Sequence, residues 1–142
     1  MKYSLRSLMI VAIVTLVSCQ SGCTGGGFYH LPPKTLEFGR ESQLEFRMIC
    51  RGYQGSIQKR YKSEKVWFRL RGDRNYQSAS TQRELVDEAD GTQLVITATI
   101  PAIPPSEGDT LEYYFTYSFD GVDESFGTED SPKTVPIVSA NE

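Results

Sequence analysis

Histidine is nearly missing from this chain: His30 is the only one among 142 residues, so neither a Ser-His-Asp arrangement nor a multi-histidine metal site can be assembled. Long apolar runs are missing too. The run from Leu8 to Val17 has ten residues, whereas a bilayer-spanning helix needs about 20. The acids do not form a cation loop: Asp120, Asp123, Glu124, Glu129 and Asp130 lack the regular spacing of an EF-hand and read as a solvated acidic loop. Paired carboxylates for glycoside hydrolysis would also need a cleft, and nothing in the pattern implies one. Helical periodicity is absent beyond residue 18. These absences argue against an enzyme and leave no metal and no cofactor to be expected.

What is present is alternation with a period of two. Leu94, Ile96, Ala98 and Ile100 share one strand face, and Leu111, Tyr113, Phe115, Tyr117 and Phe119 share another. The segment Pro101 to Pro105 between them reads as a proline turn, so the two strands are expected to pair as a hairpin. Upstream, Thr35 to Phe38 reads as a short strand and Gln43 to Cys50 as a clearer one, with Leu44, Phe46, Met48 and Cys50 on one face. Arg51 to Glu64 reads as a polar loop or irregular hairpin. Lys65 to Arg71 sets Val66, Phe68 and Leu70 against an opposite row of Lys65, Trp67, Arg69 and Arg71. Gly72 to Asn75 turns the chain, Tyr76 to Thr81 and Arg83 to Glu88 are edge strands, Asp90-Gly91 and Asp120-Gly121 are turn signals, and Lys133 to Val138 closes the sheet. About seven short strands with a turn roughly every ten residues predict an all-β, antiparallel two-sheet sandwich.

The charge is unevenly distributed. Arg47 to Arg83 holds ten Lys or Arg against two acids, and Glu84 to Glu142 holds thirteen acids against Lys133 alone. A sheet pairing an early strand with a late one would set the basic row beside acids, each pair contributing about 0.2–1 kcal/mol. The other reading is a basic surface for an anionic polymer.

At the N-terminus, Lys2 and Arg6 precede the apolar run, the charged and apolar regions of a secretory signal. Leu16-Val17-Ser18-Cys19 follows, and this tetrad resembles the bacterial lipobox at all four positions. The resemblance implies cleavage after Ser18 and lipidation of Cys19, with the membrane as first partner; two or three acyl chains anchor stably where one is marginal. Gln20 rather than Asp follows, which by the same resemblance favours the outer membrane of a bacterial cell envelope, facing periplasm or surface. The domain map is then 1–18 signal peptide, 19–34 lipidated cysteine with a Gly/Ser/Pro tether containing His30, and 35–142 folded domain. Cys23 and Cys50 are the thiols left over: they either bridge, pinning the tether to the second strand, or Cys50 is a small buried residue and Cys23 stays free.

Trp67-Phe68-Arg69-Leu70, Ala98-Thr99-Ile100-Pro101 and Leu111-Glu112-Tyr113-Tyr114-Phe115 running into Asp120-Gly121 resemble immunoglobulin-like and fibronectin type III modules of bacterial extracellular proteins. The resemblance spans Glu64 to Val138 and implies a sandwich, but the Leu111–Phe119 strand has no cysteine to meet Cys50. Trp67 either lies across neighbouring strands, against Tyr114, or forms with Arg69 and Arg71 an exposed face for a sugar ring or anionic polymer. The expected function is a lipid-anchored, non-catalytic binding or structural domain whose partner is an envelope protein or glycan. The alternative is a carbohydrate or anionic-polymer binder using Trp67, Arg69 and Arg71. No nucleic-acid partner is expected.

Overall fold

The apolar rows demand cover on one face each, and two sheets packed face to face supply it. The computed structural model describes residues 28–50, 61–88, 91–105 and 109–140, except the side chain of Cys50. These residues form nine strands and no helix: β1 (Leu36–Glu37), β2 (Ser42–Cys50), β3 (Tyr61–Leu70), β4 (Gln77–Ser78), β5 (Ser80–Glu88), β6 (Gly91–Ile100), β7 (Thr110–Phe119), β8 (Val122–Phe126) and β9 (Lys133–Val138). The smaller sheet runs β2-β6-β5. The larger runs β1-β9-β7-β3-β4, with β8 also paired to β7. All pairings are antiparallel except β1 with β9, which is parallel. Strands two, five and six facing a sheet centred on strands three, seven and nine are the arrangement of an immunoglobulin-like sandwich.

The expected hairpin between the Leu94–Ile100 and Leu111–Phe119 strands does not form. β6 spends both edges on β2 and β5, while β7 is paired to β3 on one edge and to β8 and β9 on the other. The two apolar rows therefore meet across the core rather than side by side. Alternation reports which side chains share a face, and both arrangements satisfy it equally. The prolines at 101, 104 and 105 lack backbone donors for a ladder, and the segment crosses between the sheets. Ile103 in that crossing is buried, and its carbonyl accepts from Gly39 N–H at 2.9 Å.

Leu44, Phe46, Met48, Leu94, Ile96, Ala98 and Ile100 face Val66, Phe68, Leu70, Leu111, Tyr113, Phe115, Val135 and Ile137. Phe46 and Phe115 stack at 4.5 Å and 26°, joining the sheet centres where an immunoglobulin disulfide would otherwise stand. On the edge strand β5, Arg83 shares the inward side with Ile96, its partner on β6, and pairs with Glu64 on β3 of the opposite sheet. An inward-pointing charge on an edge strand also discourages pairing with a further strand.

Three further expectations are corrected. The polar loop or irregular hairpin expected over Arg51–Glu64 ends at Tyr61, which is buried and starts β3; a bulge between Lys62 and Lys65 restores the register of the following residues. Residues 51–60 lie outside the described residues. The acidic loop Asp123–Asp130 is strand in its first half: β8 pairs with β7 from Phe126↔Phe115 to Val122↔Phe119. Finally, His30 is not in a tether. Phe28 and His30 are both buried, and Tyr29 bridges Arg47 through two backbone hydrogen bonds of 2.8 and 2.9 Å, extending the small sheet beyond β2. Phe28 packs edge-on against Phe115 at 4.9 Å and Tyr117 at 4.8 Å, and against Tyr61 at 5.4 Å. The signal in the sequence was the alternation Phe28, Tyr29, His30, Leu31, with the first and third inward and Leu31 85% exposed.

Phe28→Ala is expected to lower the unfolding free energy by about 3 kcal/mol in urea titrations, from lost transfer and the cavity left behind. Leu31→Ala should stay within about 0.5 kcal/mol. Equal stability of the two variants would show that the segment is not part of the core.

Candidate functional site

The outward row of β3 carries Lys65, Trp67 and Arg69, with Arg71 just beyond its end, and the outward row of β7 carries Glu112, Tyr114 and Thr116. Antiparallel register sets Arg69 beside Glu112, Trp67 beside Tyr114 and Lys65 beside Thr116. Trp67, Arg69 and Arg71 thus share one sheet face. The basic row lies beside an acid, as expected of a sheet pairing an early strand with a late one.

Both guanidinium groups converge on one carboxylate. Arg69 Nε donates to Glu112 Oε2 at 2.7 Å and Arg71 Nε to Oε1 at 3.3 Å. The Arg69 hydrogen bond, with that of Arg71 behind it, holds the Glu112 carboxyl below its ordinary range, and the same bond to Glu112 raises Arg69. Only 12% of the Glu112 side chain is exposed, against 59% for Arg71, so the carboxylate is the shielded centre of the trio.

Around it stands an aromatic cluster. Trp67 is half-buried and lies nearly parallel to Tyr114 at 6.3 Å and 23°, with Lys65 Nζ 5.3 Å from the indole centroid. Of the two readings of Trp67 open in the sequence, its ring meets Tyr114 while keeping partial exposure. Tyr76 packs edge-on against Tyr114 at 4.9 Å and lies 4.2 Å beneath the Arg69 guanidinium, with burial first among the causes that raise its hydroxyl. The turn brings Tyr76 there: Asp73 N–H donates to the Leu70 carbonyl at 3.0 Å, and Gly72, at φ 101°, adopts a backbone that side-chain-bearing residues avoid. The Tyr76 hydroxyl reaches the Glu129 carbonyl at 3.2 Å, tying this turn to the β8–β9 connection. Gly127 lets that connection approach, since its φ is +74° and a Cβ there would come 3.3 Å from that of Tyr114.

Beyond Lys65 the same face sinks into an open depression of about 470 Å³ lined by Ser63, Lys65, Thr116, Ser118, Asp123 and Ser125. Ser63, at φ 54°, sits in the β3 bulge. The face therefore offers flat rings with fixed cations at one end and small hydroxyl groups at the other. Such a surface can stack a flat ring and form hydrogen bonds.

Glu112 and Tyr76 belong to this cluster although the sequence singled out only Trp67, Arg69 and Arg71, with Tyr114 as the neighbour of Trp67. Glu112 was legible as an acid opposite a basic row. Tyr76 follows a turn and carries no pattern. Among the described residues no group of three or more His, Cys, Asp or Glu is placed to hold a metal ion. Cys19, Cys23 and the Cys50 side chain lie outside the described residues.

No protein-family model and no curated protein matches this chain. Among solved structures, a D1-D4 ectodomain fragment of ICAM-5 matches at 19% identity and a TM-score of 0.47, covering 82% of this chain and 25% of the fragment. The chain thus spans about a quarter of that fragment's length.

A carboxyl held below its ordinary value stabilises the fold above about pH 4.5, and this contribution is lost as pH falls through the lowered value. Unfolding free energy should therefore decline on acidification below about pH 4.5, and Glu112→Gln should flatten that decline. An unchanged pH profile in the variant would count against the Arg69–Glu112–Arg71 trio as a stabilising unit.

Proposed function

We propose that this chain is a lipid-anchored protein of the bacterial cell envelope, tethered through Cys19, whose immunoglobulin-like sandwich is a non-catalytic binding or structural module. The observation that carries this reading is the tetrad Leu16-Val17-Ser18-Cys19 at the end of the apolar leader. The fold supports it. Phe28 enters the core nine positions after Cys19, a stretch of at most about 32 Å, so the sandwich would sit close to the lipid. Phe28 docks near Tyr61 and Tyr117, at the end of the sandwich bearing the Asp120-Gly121 turn. The opposite end, with Gly39, Gly72 and the 101–105 crossing, would face away from the membrane and meet the partner.

A second reading is favoured by the half-exposed Trp67: a glycan-binding face built on Trp67, Arg69 and Arg71. Because both arginines already share Glu112, a neutral sugar ring stacked on Trp67 suits this face better than a polyanion.

Intact mass spectrometry of the membrane-extracted protein is expected to give residues 19–142 plus acyl chains, and Cys19→Ala should move the protein to the soluble fraction. A Cys19→Ala chain still held at the membrane would overturn the anchor. The same spectra after reduction and alkylation count the thiols of Cys23 and Cys50. On a glycan array, retention equal in Trp67→Ala and the parent chain would remove the second reading.

A further inference from the structure

We propose that His30 is an acid-released latch that ties the N-terminal segment, residues 28–31, to the body of the domain. The geometry fixes how it closes. His30 is buried between the sheets, its ring stacked on Phe46 at 4.3 Å and 19° and flanked edge-on by Tyr113 and Phe126 at 5.5 Å each. Nδ1 hydrogen-bonds the Glu45 carbonyl on β2, and Nε2 lies 2.7 Å from the Tyr113 hydroxyl on β7. A carbonyl oxygen only accepts, so Nδ1 carries the proton and donates. Nε2 therefore presents its lone pair, and Tyr113 O–H donates to it. One neutral tautomer thus joins the N-terminal segment to both sheets at once.

Protonation disfavours this arrangement. A second N–H at Nε2 would force the Tyr113 hydroxyl to turn from donor to acceptor, and a full positive charge would be held out of water between the sheets. The charged groups facing the ring are the Glu45 carboxylate, which favours the cation, and the Lys133 ammonium on β9, which opposes it; Lys133 Nζ lies 4.9 Å from the Phe126 ring beside His30. Burial outweighs the help from Glu45, so the docked ring resists the proton more than a solvated one. The sign follows from linkage: the undocked segment binds the proton more readily, so docking weakens as pH falls below about 6.5.

The segment is tied less than the strands beside it. Among the described residues its backbone is held to β2 by one two-bond bridge, Tyr29 with Arg47, while β2 and β6 are paired over nine residues, and Phe28 must leave the core with it. Release uncovers Phe46 and Tyr113 and frees the edge of β2 beside Arg47. If Cys19 carries the anchor, as proposed above, release also lengthens the leash from the nine positions before Phe28 to the seventeen before Leu36.

The test is amide hydrogen exchange on the full chain, expressed as protection factors between pH 7.5 and 5. Protection at the Tyr29 and Arg47 amides is expected to fall by up to about tenfold per pH unit below about 6.5, while Ile96 in the centre of β6 stays protected. His30→Gln supplies an amide that donates to Glu45 and accepts from Tyr113 without titrating, and His30→Phe keeps the stack. In either variant the acid-dependent loss should vanish. Unchanged protection of Tyr29 and Arg47 in the parent chain, or an equal loss in the variants, would overturn the latch. Loss at Ile96 together with Arg47 would also overturn it, by showing global unfolding. The same measurement on Cys19→Ala should give the same profile, which separates the latch from the anchor.

Discussion

The contact between Phe46 and Phe115 is where the two sheets become one molecule. It lies at the centre of both inward rows, and the residues around it are among the most shielded of the described residues: Leu44, Met48, Ile96, Leu111 and Tyr113 are all fully enclosed. With no cysteine on β7 to bridge the sheets, buried area and shape supply most of what holds them together. Six- and three-stranded layers differ in width, so the smaller sheet cannot cover the larger by itself. Phe28 and His30 fill the remainder against Phe115, Tyr117, Phe46 and Phe126. The docking of residues 28–31 thus answers the mismatch between the layers.

The same mismatch shapes the edges. β5 is flanked on one side only, and its inward row is interrupted by Arg83, which reaches across to Glu64 and lies 5.0 Å from the Tyr61 ring. On the other sheet β7 is shared along one edge by two short strands, β9 over its first half and β8 over its second. Gly127 marks the changeover, and the chain there presses close to Tyr114. A packing requirement at an edge therefore fixes the backing of an aromatic surface on the outer face.

That outer face and the inner latch use one strand in opposite directions. Along β7, Tyr113 points inward to His30 while Tyr114 and Glu112 point outward to Trp67, Arg69 and Arg71. Period-two geometry makes such division of labour automatic, since neighbours on a strand serve opposite faces. Residue 113 answers to core burial and hydrogen bonding, and residue 114 to whatever meets the surface.

The alternation in β2, β3, β6 and β7 and the turn residues between strands were enough to specify an all-β, two-sheet domain and to assign nearly every inward side chain. Spacing also placed Trp67, Arg69 and Arg71 on one face. Which strands share a sheet was not legible, because Leu94–Ile100 and Leu111–Phe119 bury the same rows whether they pair or face each other. Nor was the inclusion of Phe28 and His30, whose short alternation is interrupted by Pro32 and Pro33 and whose partners lie 15 and 83 residues away for His30 alone. The sequence by itself determined local conformation and side-chain facing, which depend on neighbours a few residues apart. Only the tertiary structure decided sheet membership, the latch and the company of Glu112 and Tyr76, because those follow from which distant surfaces most completely exclude water from each other.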